Sequence, residues 1–532
     1  MHSFTKILAR GLLAAALMGG VSSAAMAEIV FNKGNGAEPL TLDPHKLSGV
    51  PESNVAMDLF EGLLTPDAKG EPSPGAAESW TVSDDGLTYT FKLRQNEQWS
   101  DGTPVTAADF VFSWHRLIDP KTAADYAYFL DQVVGAKDAR LGKGSVDQVG
   151  VKAIDDHTLE VKLVAPTPYF LSSLVHQSTY AISKANYDKF GDDFIKAGNL
   201  ISNGAYQLAE AVPQGYIKLT KNPHFHDADN VKIDTVMVYP TEDIDAELQR
   251  FKAGELDMTY ELPSQQIPTL QKEMPDQIHI APYLGVYFYA YNLTHEPWKS
   301  SPELRQALSL AVDRDSLIKN VTQASQIPAY TFVPPGTINF PTWEPDVAKL
   351  TQAERDAKAK ELYAKAGYGP DKPLKLELTY NTSENHKKVA VFIAAMWKQK
   401  LGVNVSLVNQ EWGTFQDTRD KKEFPDIARH GWIGDYNDAY GFLQLELGDV
   451  GEQSTSGYSN PKFDDLMAQA AKATEATKRG ELMQEAEKLM IADLPVLPLY
   501  FYTTHHAVSP ALKGWVDNVS DYHLSRWLSV QR

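Results

Sequence analysis

A chain of 532 residues is too long for one hydrophobic core, because single cores stop growing near ~250–300 residues. Yet no Pro/Gly/Ser-rich linker cleanly divides this chain. Roughly three or four domain-sized cores must therefore share a polypeptide without obvious seams, and lobes interleaved in sequence are expected rather than lobes strung in series. With 24 Tyr, 21 Phe and 10 Trp there is ample apolar material for such cores, which separates the chain from disordered sequences. There is no fixed-period repeat, and no low-complexity segment beyond the leader.

Residues 1–27 have the layout of a secretory signal peptide: Lys6 and Arg10, an apolar run from Gly11 to Val21, then Ala25-Met26-Ala27 with cleavage expected before Glu28. The run is too short to span ~30 Å of hydrocarbon, and no later stretch reaches ~18 uninterrupted apolar residues. The expected product is exported and soluble, which in a Gram-negative cell means the periplasm. With no cysteine in the chain, disulfide scaffolds, thiolate metal sites, cysteine nucleophiles and a lipid-modified cysteine anchor are excluded. The balance of 69 acidic against 50 basic residues, net −19, disfavours nucleic acid, whose phosphates repel such a surface.

Local patterns place several elements. Ile29-Val30-Phe31 reads as a strand before a polar turn. Leu87–Leu93 and His157–Leu163 alternate large and polar residues, the mark of half-buried strands, and each follows an acidic turn. Thr106 with Asp109 three residues on predicts a capped helix start. Helices are predicted over Pro302–Val312, over Gln352–Gly367, over His386–Leu401 with a Gly402 stop, and twice between Asn460 and Asp493. Val403–Val408 alternates as a strand, and helix followed by strand implies α/β packing in this half.

Certain strings go beyond periodicity: Leu42-Asp43-Pro44-His45, Gly49-Val50-Pro51-Glu52-Ser53-Asn54, Trp99-Ser100-Asp101-Gly102-Thr103-Pro104-Val105-Thr106, Asn203-Gly204-Ala205-Tyr206, Asn409-Gln410-Glu411-Trp412 and Arg429-His430-Gly431-Trp432-Ile433-Gly434-Asp435. In this order, over essentially the whole chain after the leader, the sequence resembles the periplasmic oligopeptide-binding branch of solute-binding protein family 5, which serves ABC transporters. The resemblance implies an α/β, three-lobed periplasmic binding protein fold with hinge closure over the ligand. The implied segments are 28–60, 184–286 and 503–532 for lobe I, 61–183 for an inserted lobe II, and 287–502 for lobe III.

A peptide of unspecified sequence offers an ammonium, a carboxylate and a backbone, so a tolerant site must grip these three. The resemblance assigns the ammonium to Asp435 and the carboxylate end to Arg429, to His386 for longer peptides, and to Arg419; Arg suits a carboxylate because its planar fork pairs bidentately. Tyr126, Trp412, Trp432 and Tyr502 match the aromatic lining, and Val50 and Gly431 match backbone positions that pair with the peptide. Two acids of the family that help accommodate basic ligand side chains are replaced here by Ser48 and Ala290. Short peptides, an ABC permease and its cytoplasmic ATPase are the implied partners of a monomer; a dipeptide, murein peptide or nickel chelate as ligand, or a peptide-holding chaperone, is the alternative.

No nucleophile elbow, zincin helix or Walker loop occurs, so no catalytic residue is assigned. His224-Phe225-His226 and His505-His506 are the two histidine motifs with metal-binding spacing. Surface histidines are the commoner reading of both, so no metal and no cofactor is assigned.

Overall fold

The computed structural model describes residues 28–451 and 454–532; the expected signal peptide, 1–27, lies outside them. Among the described residues, the three larger sheets carry the three larger cores. In lobe I the strands run in the order Val30–Gly34, Thr235–Tyr239, Tyr216–Lys221, Tyr206–Val212. The first two pair in parallel although they are distant in sequence, the direct signature of interleaving. Their core holds Phe31, Leu59, Tyr206 and Val236.

Lobe II has an antiparallel sheet ordered Ala77–Val82, Thr88–Leu93, Thr158–Lys162, Val151–Asp155. Alternation decides which face is buried: Tyr89, Phe91 and Leu93 point inward while Lys92 stays exposed. The helix Ala107–Ile118 packs on this lobe through Phe110, Trp114 and Leu117. Asp109 accepts hydrogen bonds at 2.9 Å from both the N–H and the hydroxyl of Thr106, holding the helix start together as its sequence predicts.

Lobe III is built on a six-stranded mixed sheet: Ile327–Pro328, Val496–Ala507, Ile278–Tyr291, Ile427–Ile433, Lys375–Asn381, Asn404–Gln410. Helices Pro302–Ala311, Gln352–Lys365 and Glu384–Leu401 flank it. The last begins two residues earlier than the sequence predicts, because the Ser383 hydroxyl accepts from the His386 N–H and caps the first turn. Pro461–Lys472 and Ala476–Asp493 are the two helices expected before the final long strand.

Ile278–Tyr291 and Val496–Ala507, 14 and 12 residues long, form the passage between the lobes. Their outer ends, Ile278 and Ala507, pack in a small core with Leu248 and Leu262, and their inner ends are in the centre of lobe III. Pairing is irregular between Pro282 and Val286, where proline has no N–H to give to a ladder. The expected bounds at 286 and 502 both fall inside these strands. No linker is visible in the sequence because the connection is itself paired sheet. Among the described residues, no helix is long and apolar enough to cross a membrane.

Candidate functional site

A cavity of about 270 Å³ lies where the lobes face one another. All ten residues singled out in the sequence line it: Val50, Tyr126, His386, Trp412, Arg419, Arg429, Gly431, Trp432, Asp435 and Tyr502.

Asp435 follows the strand Ile427–Ile433 and is 11% exposed. Its Oδ1 is 3.4 Å from Nε2 of His176, and its Oδ2 is buried without a hydrogen-bond partner. Nδ1 of His176 accepts from the Ser178 N–H at 3.3 Å, so the neutral ring carries its proton on Nε2. Burial pushes the His176 pKa down to about 3. The ring therefore brings a proton donor to Asp435 but no positive charge, and burial holds the Asp435 carboxyl well above the usual carboxylate range.

Arg429 lies six residues before Asp435 and presents the opposite charge. Its Nη2 donates to the Tyr502 hydroxyl at 2.7 Å and its Nη1 to Oδ1 of Asn381 at 3.3 Å; Nε is buried without a partner. The guanidinium stands 4.9 Å over the Tyr287 ring. Among the described residues, no carboxylate lies within ion-pair distance of it. His386 sits in the first turn of Glu384–Leu401, with Nδ1 3.4 Å from the Tyr287 hydroxyl. Burial first, and then the Arg429 charge, push its pKa well down. This helix start, with Thr382 and Ser383 on the cavity wall, favours an anion through its free N–H groups and dipole. Arg419 differs from Arg429: it is buried and its Nε already donates to Oδ1 of Asp420 at 2.8 Å.

The backbone between these charges has an open edge. Along Ile427–Ile433, one side pairs continuously with Gly285–Tyr291. On the other side pairing with Lys375–Asn381 covers only Ile427 and Ala428, which leaves the far edge of Gly431 to Ile433 free of a strand among the described residues. Gly431 keeps this edge clear: a Cβ would lie 2.4 Å from the Tyr502 hydroxyl and 3.1 Å from Nη2 of Arg429, which would have to shift. Val50 is the first residue of the helix Val50–Leu59, at a helix N-terminus where N–H groups lack intrahelical acceptors, and not in a strand.

The aromatic residues close the walls between lobes. Trp432 stacks on Tyr126 at 6.3 Å and donates from Nε1 to the Gly441 carbonyl; Tyr126 in turn lies 4.4 Å from the His176 ring. Nε1 of Trp412 donates to Glu52 of lobe I at 3.3 Å. Tyr169 and Tyr436 stack at 5.1 Å, and Lys137 meets Asp449 at 2.8 Å, so lobes II and III touch.

Three features differ from what the sequence implies. His176 carries no local motif in Leu174-Val175-His176-Gln177 and becomes visible only beside Asp435. Ala290 is fully buried in the lobe III core and does not line the cavity, whereas Ser48 does, and the acids Glu242 and Glu261 line it from other positions. His505 and His506 are 8% and 6% exposed; the reading of them as surface histidines is corrected, since they lie on the long strand where it passes between lobes.

Comparison with known proteins agrees with this geometry. Residues 71–454 match the model of bacterial extracellular solute-binding proteins, family 5 Middle. The periplasmic oligopeptide-binding protein OppA of Salmonella typhimurium is 43% identical over 96% of this chain and 93% of its own. The Haemophilus influenzae OppA complex with RPPGFSPFR superposes with a TM-score of 0.92 at 38% identity, over 95% of this chain and 99% of that one. A structure of the Escherichia coli murein tripeptide binding protein MppA gives 0.93 at 39% identity over 95% and 99%, while the unliganded open form of MppA gives 0.67 over 95% and 98%. The fold is shared with both, and the lobes here stand as in the former.

Proposed function

Because this chain belongs to the bacterial extracellular solute-binding proteins of family 5, we propose that it captures short oligopeptides in the periplasm by closing its lobes over them and delivers them to an ABC permease driven by a cytoplasmic ATPase. It binds its ligand and does not transform it. One observation supports this reading above the others: a nearly buried carboxylate with no cationic partner and a guanidinium with no anionic partner among the described residues face the same cavity. Isolated buried charges cost several kcal/mol each. A zwitterion with a strand-like backbone between its ends relieves both.

In this reading Asp435 holds the peptide ammonium, assisted by Nε2–H of His176. Arg429 holds the carboxylate of shorter peptides and His386, at its helix start, that of longer ones. Arg419, being paired with Asp420, contributes field more than direct contact. The free edge at Gly431 takes the peptide as an added strand, and Val50 offers N–H groups from lobe I. Tyr126, Trp412, Trp432 and Tyr502 supply apolar walls with little rotamer entropy to lose. Ligand bridging both lobes favours the closed arrangement. The equal likeness to a murein tripeptide binder places wall-derived peptides among the ligands worth testing.

Calorimetry with trialanine, its N-acetyl form and its C-terminal amide tests the proposal. Free trialanine should bind, and each blocked form should lose about 30-fold or more, the cost of about 2 kcal/mol or more for a buried charge left alone. Equal binding of the acetylated and free peptides overturns the reading.

A further inference from the structure

The two histidine motifs of the sequence behave differently in the fold. His224 joins no cluster of potential ligands among the described residues, while His226 approaches Glu61 and Glu97. That cluster is already filled: Nη1 of Arg526 lies 2.5 Å from Oε1 of Glu61, and Asn203 donates to Glu97. His506 belongs to a second cluster, with Asp521 and His523, whose ligand atoms all lie within 4.8 Å of one another. No Lys or Arg lies within ion-pair distance of Asp521 among the described residues.

We propose that His506, Asp521 and His523 form a three-ligand site for a divalent transition metal of the zinc class, with its fourth coordination position open toward the cleft. Nε2 of His506 is 3.1 Å from each Asp521 oxygen, and Nε2 of His523 is 2.9 Å from Oδ1. Tetrahedral zinc with bonds of about 2.0–2.1 Å sets its ligand atoms roughly 3.3 Å apart, so each histidine nitrogen needs to part from its Asp521 oxygen by only a few tenths of an ångström. Nδ1 of His506 is 3.1 Å from the Thr259 carbonyl, which can only accept. That places one proton on Nδ1 and leaves Nε2 as the ring nitrogen a metal can take, in exchange for the proton it shares with Asp521, with the Nδ1 contact as the outer-shell bond that orients metal-bound histidines. The His523 ring is held in plane by Trp515, stacked at 3.6 Å and 15°. His506 and Asp521 line the main cavity, and all three residues line an adjoining space of about 40 Å³. Water or a donor group of a bound solute can therefore complete the coordination. Two imidazoles and one carboxylate suit zinc, nickel or copper and not calcium or magnesium.

Titration of zinc chloride into tag-free, chelator-treated protein should show one ion per chain, with affinity at least about tenfold lower in His523→Gln and in Asp521→Asn. Copper(II) should quench tryptophan fluorescence, and in Trp515→Phe much of that quenching should vanish while zinc still binds, a result that does not depend on any ligand variant folding. Absence of zinc binding at millimolar concentration, or zinc binding that His523→Gln leaves unchanged, overturns the proposal. Because the probe is the metal alone, that failure is separable from failure of the peptide reading.

Discussion

Two aspartates three residues apart bury their charges in opposite ways. Asp438 meets Arg479 through two hydrogen bonds of 2.6 and 2.8 Å, and the guanidinium lies 4.9 Å over Tyr169. Asp435 has a neutral histidine at 3.4 Å and one oxygen with no partner. The arginines divide in the same way: Arg116 grips Asp43 at 2.6 and 3.0 Å, and Arg429 rests on a phenol and an amide. Burial is common to all four, so burial does not mark the site. What separates them is the opposite charge: Asp438 and Arg116 each meet one inside the protein, whereas Asp435 and Arg429, on the cleft wall, meet no full opposite charge among the described residues.

The largest effect is expected at the paired aspartate. Asp438→Ala leaves Arg479 buried and alone, and should lower unfolding stability by about 3–5 kcal/mol, read from urea denaturation. An unchanged midpoint would mean that the pair is not structural. Asp435→Ala should do the reverse. Affinity for a free tripeptide should fall by about 2–5 kcal/mol in calorimetry, while the ligand-free chain stays equally stable or gains, since an uncompensated carboxylate has been removed. A parallel loss of stability would erase the distinction between the two residues.

The smallest effect concerns pH. The carboxyl of Asp435 in the closed arrangement is held well above its ordinary value by burial. A group raised in this way supports the closed, ligand-free arrangement below its ordinary pKa, and that support is lost as pH rises through the raised value. Scattering should therefore show the ligand-free protein more compact in mild acid than at neutral pH. Asp435→Asn should flatten the dependence. A dependence that survives the substitution would point to other groups.

Much of the architecture was legible because its causes are short-range. Thr106 and Asp109 announce a helix start within four residues, and Tyr89, Phe91 and Leu93 announce a buried strand face by alternation alone. The missing linker announced interleaving, and the paired strands Ile278–Tyr291 and Val496–Ala507 supply its physical basis. The ten site residues were legible only through resemblance, since a Val, a Gly or a buried Trp carries no functional sign of its own. His176 was not legible at all. Its importance is a distance to Asp435, and nothing within its own turn encodes that distance. Ala290 misled for a related reason: the resemblance sets it in place of an acid that accommodates ligand side chains, and the pleat turns it into the core.

Which segments become helix and strand follows from the sequence alone, because hydrophobic period, capping and turn chemistry act over a few residues; the interleaving follows from length without a linker, and the family from the resemblance of its motif strings. Only the tertiary structure decided which charges are answered. Whether Asp435 and Arg429 stand unpaired depends on what the other lobes bring against them when the cleft is shut, and desolvation of a charge is a property of that whole enclosure and not of any stretch of chain.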